Sequence, residues 1–210
     1  MAGQINLGTS AGNLIKKLSE RPDVNTIVEI GTWNGLGSTI CVLSGIKKTK
    51  KKFISIELYQ EMHDVAKLNL TKHLSEINLI CGTIINVADL EWFDHSIIDA
   101  MLKKDELCID GIHIPHAKEW FNKDVETIRH APNVEHLLPD EIDFLILDGG
   151  EYSTYPEWIK LKSRTKILFI DDTTLLKGAK IRSEVIASRE YKTIMDDQKD
   201  RYGYSVFERY

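Results

Sequence analysis

The residues best placed to do chemistry are a glycine-bearing stretch, a lone carboxylate and three aspartates. The stretch is Glu29-Ile30-Gly31-Thr32-Trp33-Asn34-Gly35-Leu36-Gly37-Ser38; the carboxylate is Glu57; the aspartates are Asp148, Asp171 and Asp172. Each follows or closes a short apolar run. Glycines after a strand permit a tight turn and close approach of a ligand to the backbone, and a helix that follows offers free N–H groups. A carboxylate at the next strand end can accept both hydroxyls of a ribose, or can simply sit at the positive end of the following helix. Aspartates at neighbouring strand ends face one crevice, where three together repel unless a cation sits among them. Hard oxygen donors suit Mg²⁺ or Ca²⁺; the alternatives are helix caps, or one carboxylate on a cofactor with the others in water. The glycine spacing does not complete G-x-G-x-x-G in either register, so a pyrophosphate-binding dinucleotide site, and with it a nicotinamide oxidoreductase, is disfavoured.

The elements that must position these groups are legible as alternating β-branched runs and helical patterns, the signature of an α/β fold. The runs are 26–30, 53–57, 77–81, 143–147 and 166–170, nearly continuous in apolar residues as parallel strands covered on both faces should be. Helical patterns fall at 13–20, 38–45, 61–74, 156–162 and 175–188. Two last β-like runs, 192–195 and 204–207, flank a polar turn ending in Tyr202-Gly203 and predict an antiparallel hairpin at the sheet edge. Residues 87–140 are too long for an ordinary βα connection and predict a helical insert capping the sheet's carboxyl edge. Trp92 and Trp120 stand there among His, Asp, Glu and Asn residues, a mixture suited to a polyhydroxylated ring; anchoring of the cap in the core is the alternative.

Composition bounds the rest. The chain has 210 residues, 42% hydrophobic and 28% charged, which suits one domain over 1–210 with a packed core. A net charge of −5 argues against a general nucleic-acid binder. Cys41, Cys81 and Cys108 form no CxxC pair and point to a reducing, cytoplasmic setting. No apolar run is long enough to predict a membrane span, and no signal peptide is visible. The lysine-rich segment 47–52 reads as a solvated loop favouring the C-terminus of the helix before it. Gly8-Thr9-Ser10-Ala11-Gly12 matches the G-x-S-x-G of a hydrolase elbow, but too little chain precedes it for the required strands; Ser10 reads as a helix cap or cofactor neighbour. Cys108 with His113 and His116 lacks the second half of a zinc site.

The acidic-x-Gly-x-x-x-Gly pattern of Glu29, Gly31 and Gly35 resembles the first motif of class I S-adenosylmethionine-dependent methyltransferases. Asp148-Gly149-x-x-Tyr152 with Ser153-Thr154-Tyr155, followed by Asp171-Asp172, is similar to their metal-dependent O-methyltransferases, of the catechol type and of the type that methylates deoxysugars of macrolides and aminocoumarins. The Asp-Asp pair and the Tyr-Ser-Thr-Tyr run lean to the sugar type. The resemblance implies a Rossmann-like fold, a seven-stranded, mostly parallel sheet with an antiparallel last strand. It implies S-adenosylmethionine held by Glu29, the backbone of Gly31, Thr32, Trp33 and Gly35, and Ser38. Glu57 would take the ribose, Leu58 would also contact the cofactor, and Gly82 and Thr83 would flank the adenine. It also implies Mg²⁺ or Mn²⁺ on Asp148, Asp171 and Asp172, with Asp148 touching the cofactor as well. The chain departs from both branches near the reaction centre: Gly150 replaces the aspartate of the sugar type, and Glu151 the lysine of the catechol type, leaving Glu151 as the nearest base beside catalytic Asp148. The expected reaction is metal-assisted methyl transfer to a sugar hydroxyl of a small molecule or glycan, with a catechol or small phenol as the other acceptor. A silent cofactor-binding module is a third reading, and a domain of a larger glycan-processing protein would carry the same features.

Overall fold

The computed structural model describes residues 5–47, 49–91 and 117–210. Seven strands form one sheet: β1 (Thr26–Ile30), β2 (Lys52–Glu57), β3 (Asn78–Cys81), β4 (Ile142–Leu147), β5 (Thr165–Asp171), β6 (Tyr191–Asp197) and β7 (Tyr204–Arg209). Their order is β3-β2-β1-β4-β5-β7-β6. The first five run parallel, whereas β7 is antiparallel to both β5 and β6. The predicted hairpin therefore forms, with β6 on the edge and β7 inserted against β5.

Six helices are described: α1 (Ser10–Glu20), α2 (Ser38–Ile46), α3 (Gln60–Asn69), α4 (Ala117–His130), α5 (Thr154–Leu161) and α6 (Leu176–Ser188). Among the described residues no helix is long and apolar enough to cross a membrane. Alternate strand residues face opposite sides of the sheet and build two cores. Ile27, Phe144, Ile146, Ile167 and Phe169 pack with α1 and α2 on one side. Val28, Ile30, Leu145, Leu147, Leu168 and Ile170 pack with α4, α5 and α6 on the other.

Three local expectations change. The cap of α1 is Thr9, not Ser10: the Thr9 side chain accepts the Gly12 amide at 3.0 Å, so the helix starts at Ser10, earlier than the apolar periodicity suggests. The long helix expected over 61–74 stops at Asn69, where the Thr71 hydroxyl bonds the Leu68 carbonyl at 2.6 Å and the chain tightens into a 3₁₀ turn. In the lysine segment, the Lys51 ammonium satisfies the Ser19 and Arg21 carbonyls at the C-terminus of α1, rather than that of the helix before it.

The insert enters through a turn at Val87–Leu90 and returns through α4 and a turn at Glu135–Leu137. Its middle, with Trp92, His95, Cys108, His113 and His116, lies outside the described residues. Tyr152 fixes the returning limb: its hydroxyl donates to the Ala117 carbonyl at 2.7 Å and its ring meets Phe121 edge to face at 5.2 Å. Trp120 packs against the same core, which takes up part of the ring face expected to stack on substrate.

Candidate active site

The strand order reverses between β1 and β4, since β2 and β3 continue on one side and β5 on the other. In open parallel sheets, ligands bind in the crevice outside the strand ends at such a point. Here it lies between Gly31, which follows β1, and Asp148, which follows β4. The Asp148 amide donates to the Ile30 carbonyl at 3.0 Å, continuing the ladder into the loops. Gly31 has φ +96°, and a Cβ there would lie 2.1 Å from the Asp148 carbonyl oxygen, so only glycine fits.

Below the loop runs a buried chain of polar groups. The hydroxyls of Thr32 and Ser55 are 2.5 Å apart; Ser55 donates to the Glu29 Oε2 at 2.5 Å, and Thr39 donates to the same oxygen at 2.7 Å. Glu29 is fully buried and lines neither cavity of the crevice, so it supports the loop instead of reaching a ligand. Burial pushes its carboxyl upward, opposed by the hydroxyls of Ser38, Ser55 and Thr39.

Glu57 closes β2 and holds the far side of the loop. Its Oε2 accepts the Trp33 amide at 2.6 Å and its Oε1 the Tyr59 amide at 3.0 Å. Each carboxylate oxygen has two acceptor sites, so capacity for a further donor remains. Burial raises its carboxyl, with those amides opposing.

Two cavities meet at Gly31, Trp33 and Asp148. One, of about 200 Å³, lies between Glu57, Leu58, Tyr59, Gly82, Gly150, Ser153 and Glu157. The other, of about 290 Å³, is bounded by Thr32, Asn34, Ser38, Asp148, Asp171, Asp172 and Arg201, with Ile5 and Tyr202 also lining it. Trp33 stands between them, 51% exposed with φ +52°. Thr83 does not reach either cavity: its hydroxyl accepts the Ile85 amide at 3.2 Å, and its backbone pairs with the segment around Pro132 and Val134. Gly35, with φ +79°, turns the loop against Leu70 and lines neither.

Asp148, Asp171 and Asp172 do converge, with one oxygen of each within 4.8 Å of the others. Two cations that the sequence reading did not single out share this cluster. The Lys177 ammonium lies 2.9 Å from Asp172 Oδ2, 3.5 Å from Asp148 Oδ1 and 3.1 Å from the Gly149 carbonyl. Arg201 pairs with Asp171. The spread of the oxygens would admit a divalent ion, but one bound by all three would have to displace the buried ammonium, so this donor set does not fit that ion. Burial drives the Asp148 carboxyl well above its ordinary value, reinforced by the charge of Asp171 and opposed by Lys177. Glu151 lies behind the cluster, its Oε1 accepting the Lys177 amide at 3.2 Å, and desolvation lifts it to about 7.

The same crevice holds acids with no motif to announce them. Glu157, on α5, lines the smaller cavity with Oε2 buried and without a hydrogen-bond partner among the described residues, and desolvation, opposed by a hydrogen bond from Ser153, raises it to about 8. Asp124, on α4, accepts the Tyr59 hydroxyl and is raised to about 6 by burial. Lys177 had one signal in the sequence: a lysine in the first turn of a helix opposes the dipole and needs a reason to be there.

Sheet order, crossover and antiparallel β7 together are those of the class I methyltransferase fold. No protein-family model and no curated protein sequence matches the chain. Solved structures do. An O-methyltransferase from Bacillus cereus, in complex with S-adenosylhomocysteine, superposes with a TM-score of 0.59 at 14% identity, covering 99% of this chain and 84% of that one. TomG from Streptomyces achromogenes, an O-methyltransferase of tomaymycin synthesis solved with S-adenosylmethionine, gives 0.58 at 15% identity over 97% and 82%. A putative caffeoyl-CoA O-methyltransferase from Staphylococcus aureus gives 0.59 at 14% identity over 97% and 85%. At these identities the likeness is one of fold.

Proposed function

We propose that the chain transfers the methyl group of S-adenosylmethionine to a hydroxyl oxygen, and that the acceptor is a sugar hydroxyl. The observation that carries this is the pair of cavities joined at Gly31, Trp33 and Asp148, one ending on Glu57 and the other on the aspartates. A nucleoside seated on Glu57 would extend its sulfonium arm past Gly31 toward Asp148. The acceptor oxygen would enter from the side of Asp171 and Asp172. In the transfer the sulfur–methyl bond breaks, its electron pair stays on sulfur as a neutral thioether, and the acceptor oxygen bonds to the methyl carbon. The hydroxyl proton passes to Asp148, whose carboxylate lines both cavities beside the Lys177 ammonium. Glu151 lies behind Asp148 and acts on it through Lys177. Alignment of oxygen, carbon and sulfur supplies much of the acceleration.

The divalent cation of the sequence reading has no part in this proposal, because the Lys177 ammonium already pairs with Asp148 and Asp172. Sugar is preferred over catechol on the Asp-Asp pair and the Tyr-Ser-Thr-Tyr run. The fold likeness to a protein named for caffeoyl-CoA supports a phenolic acceptor as the second reading. A cytoplasmic setting accords with the separated cysteines, of which Cys41 is buried with its thiol pushed up to about 12. The test is transfer to a panel of nucleotide sugars, oligosaccharides and catechols, read by mass. A gain of one CH₂ on a saccharide supports the proposal; efficient methylation of catechol with none on any saccharide reverses the order of acceptors.

A further inference from the structure

We propose that the Lys177 ammonium is a built-in cation that takes the place of a divalent metal in the aspartate cluster, so that this chain organises Asp148 and Asp172 without one. The inference rests on the cluster's geometry and not on the acceptor proposed above.

Lys177 is only 7% exposed, and a buried ammonium is tolerated only when its charge and its three protons are all met. They are met here by two carboxylates and a carbonyl, at 2.9, 3.5 and 3.1 Å. These acceptors come from the ends of both β4 and β5, so one side chain ties together the strand ends that a metal would otherwise bridge. Its backbone is seated to suit. A Cβ on the next residue, Gly178, would fall 2.7 Å from the Asp171 carbonyl oxygen and 2.6 Å from that of Asp172, so glycine lets the first turn of α6 press against β5. The Lys177 amide is then met by Glu151.

Charge counting agrees. The three aspartates already face two fixed cations, Lys177 and Arg201, and Glu151, lifted to about 7, sits on the Lys177 amide. Adding a divalent ion would set four positive charges against those three carboxylates, or would expel a buried ammonium. Lys177 is in this reading a positioning residue: it holds Asp148 and Asp172 in place, and Asp148 faces the reacting atoms.

The test is titration of the full chain with Mn²⁺, followed by electron paramagnetic resonance, for the parent, Lys177→Met and Lys177→Arg. The parent and Lys177→Arg should leave the free-ion spectrum unchanged at millimolar Mn²⁺. Lys177→Met should open the triad and bind Mn²⁺ at least roughly tenfold more tightly than the parent. Stoichiometric Mn²⁺ binding by the parent that is lost in Asp172→Asn overturns the proposal, and so does a folded Lys177→Met that gains no Mn²⁺. Should Lys177→Met not fold, the parent's melting temperature decides: no change with Mg²⁺ supports the proposal, and a rise abolished by Asp172→Asn contradicts it. None of these readouts depends on methyl transfer, so their failure is separable from failure of the proposed activity.

Discussion

Gly31 and Asp148 touch back to back: a Cβ on the glycine would lie 2.1 Å from the aspartate's carbonyl oxygen. This contact joins the loop after β1 to the loop after β4 at the point where the strand order reverses, and both cavities open from it. Gly31→Ala must place a side chain at φ +96° and push the two loops apart. The expected cost is roughly 2–5 kcal/mol of stability, with loss of cofactor binding in whatever remains folded. Chemical denaturation paired with cofactor titration measures both; an alanine variant of unchanged stability and affinity would remove this contact from the account.

Glu57 serves the loop and, in the proposed function, the ribose. Glu57→Ala should weaken S-adenosylmethionine by about 1.5–3 kcal/mol, the range for hydrogen bonds to a charged group, or roughly tenfold to a hundredfold in Kd. The fold should survive at some cost in stability, since the Trp33 and Tyr59 amides lose their acceptor while the desolvation of the carboxylate is relieved. Calorimetric titration reads the affinity, and an unchanged Kd would place the ribose elsewhere.

Trp33 is half exposed between the two cavities, whereas Trp158 is buried in the core. Cofactor bound across both cavities must cover the Trp33 ring, so its emission should shift or quench on titration. Trp33→Phe should lose that signal while the protein still binds. A response that persists undiminished in Trp33→Phe would mean that the cofactor lies away from this side chain.

Glu157 gives the cofactor-free protein a specific pH dependence. Its carboxyl titrates near 4.5 in an unfolded chain and near 8 in the fold. Between those values the folded state keeps a proton that the unfolded state has lost, so this group's contribution to stability falls as pH rises through that window. Glu157→Gln should be more stable than the parent above about pH 8, by roughly 1–4 kcal/mol, and should show a flatter dependence of stability on pH. Denaturant unfolding at about pH 5 and about pH 9 checks this, and parallel curves for the two proteins would contradict it.

Much of the scaffold was legible in the sequence, for a physical reason. Strands buried on both faces must be nearly continuous apolar runs, so β1 appears at 26–30 in the structure as in the sequence. Asp148, Asp171 and Asp172 were legible because each follows or closes such a run, and parallel strands deliver their carboxyl ends to one edge. Other parts were hidden. Thr9 and Ser10 are both good caps, and only the geometry at Gly12 decides between them. Glu29 looks like a ligand-binding acid in one dimension, yet Ser55, on the neighbouring strand, and Thr39, on α2, enclose it beneath the loop. Lys177 carries only the signal of its place in a helix's first turn, and its partners appear once α6 is docked against the end of β5. Arg201 sits in a turn with φ +54°, and the register of β7 on β5 is what brings it to Asp171.

The central claim is that the crevice at Gly31 and Asp148 holds S-adenosylmethionine, and equilibrium titration of the purified chain tests it most directly. The account predicts saturable, one-to-one binding of S-adenosylmethionine and S-adenosylhomocysteine, weakened by Glu57→Ala, with no comparable binding of NAD. Absence of saturable binding to either sulfur nucleoside by the folded chain, or binding indifferent to Glu57→Ala and Gly31→Ala alike, would contradict it.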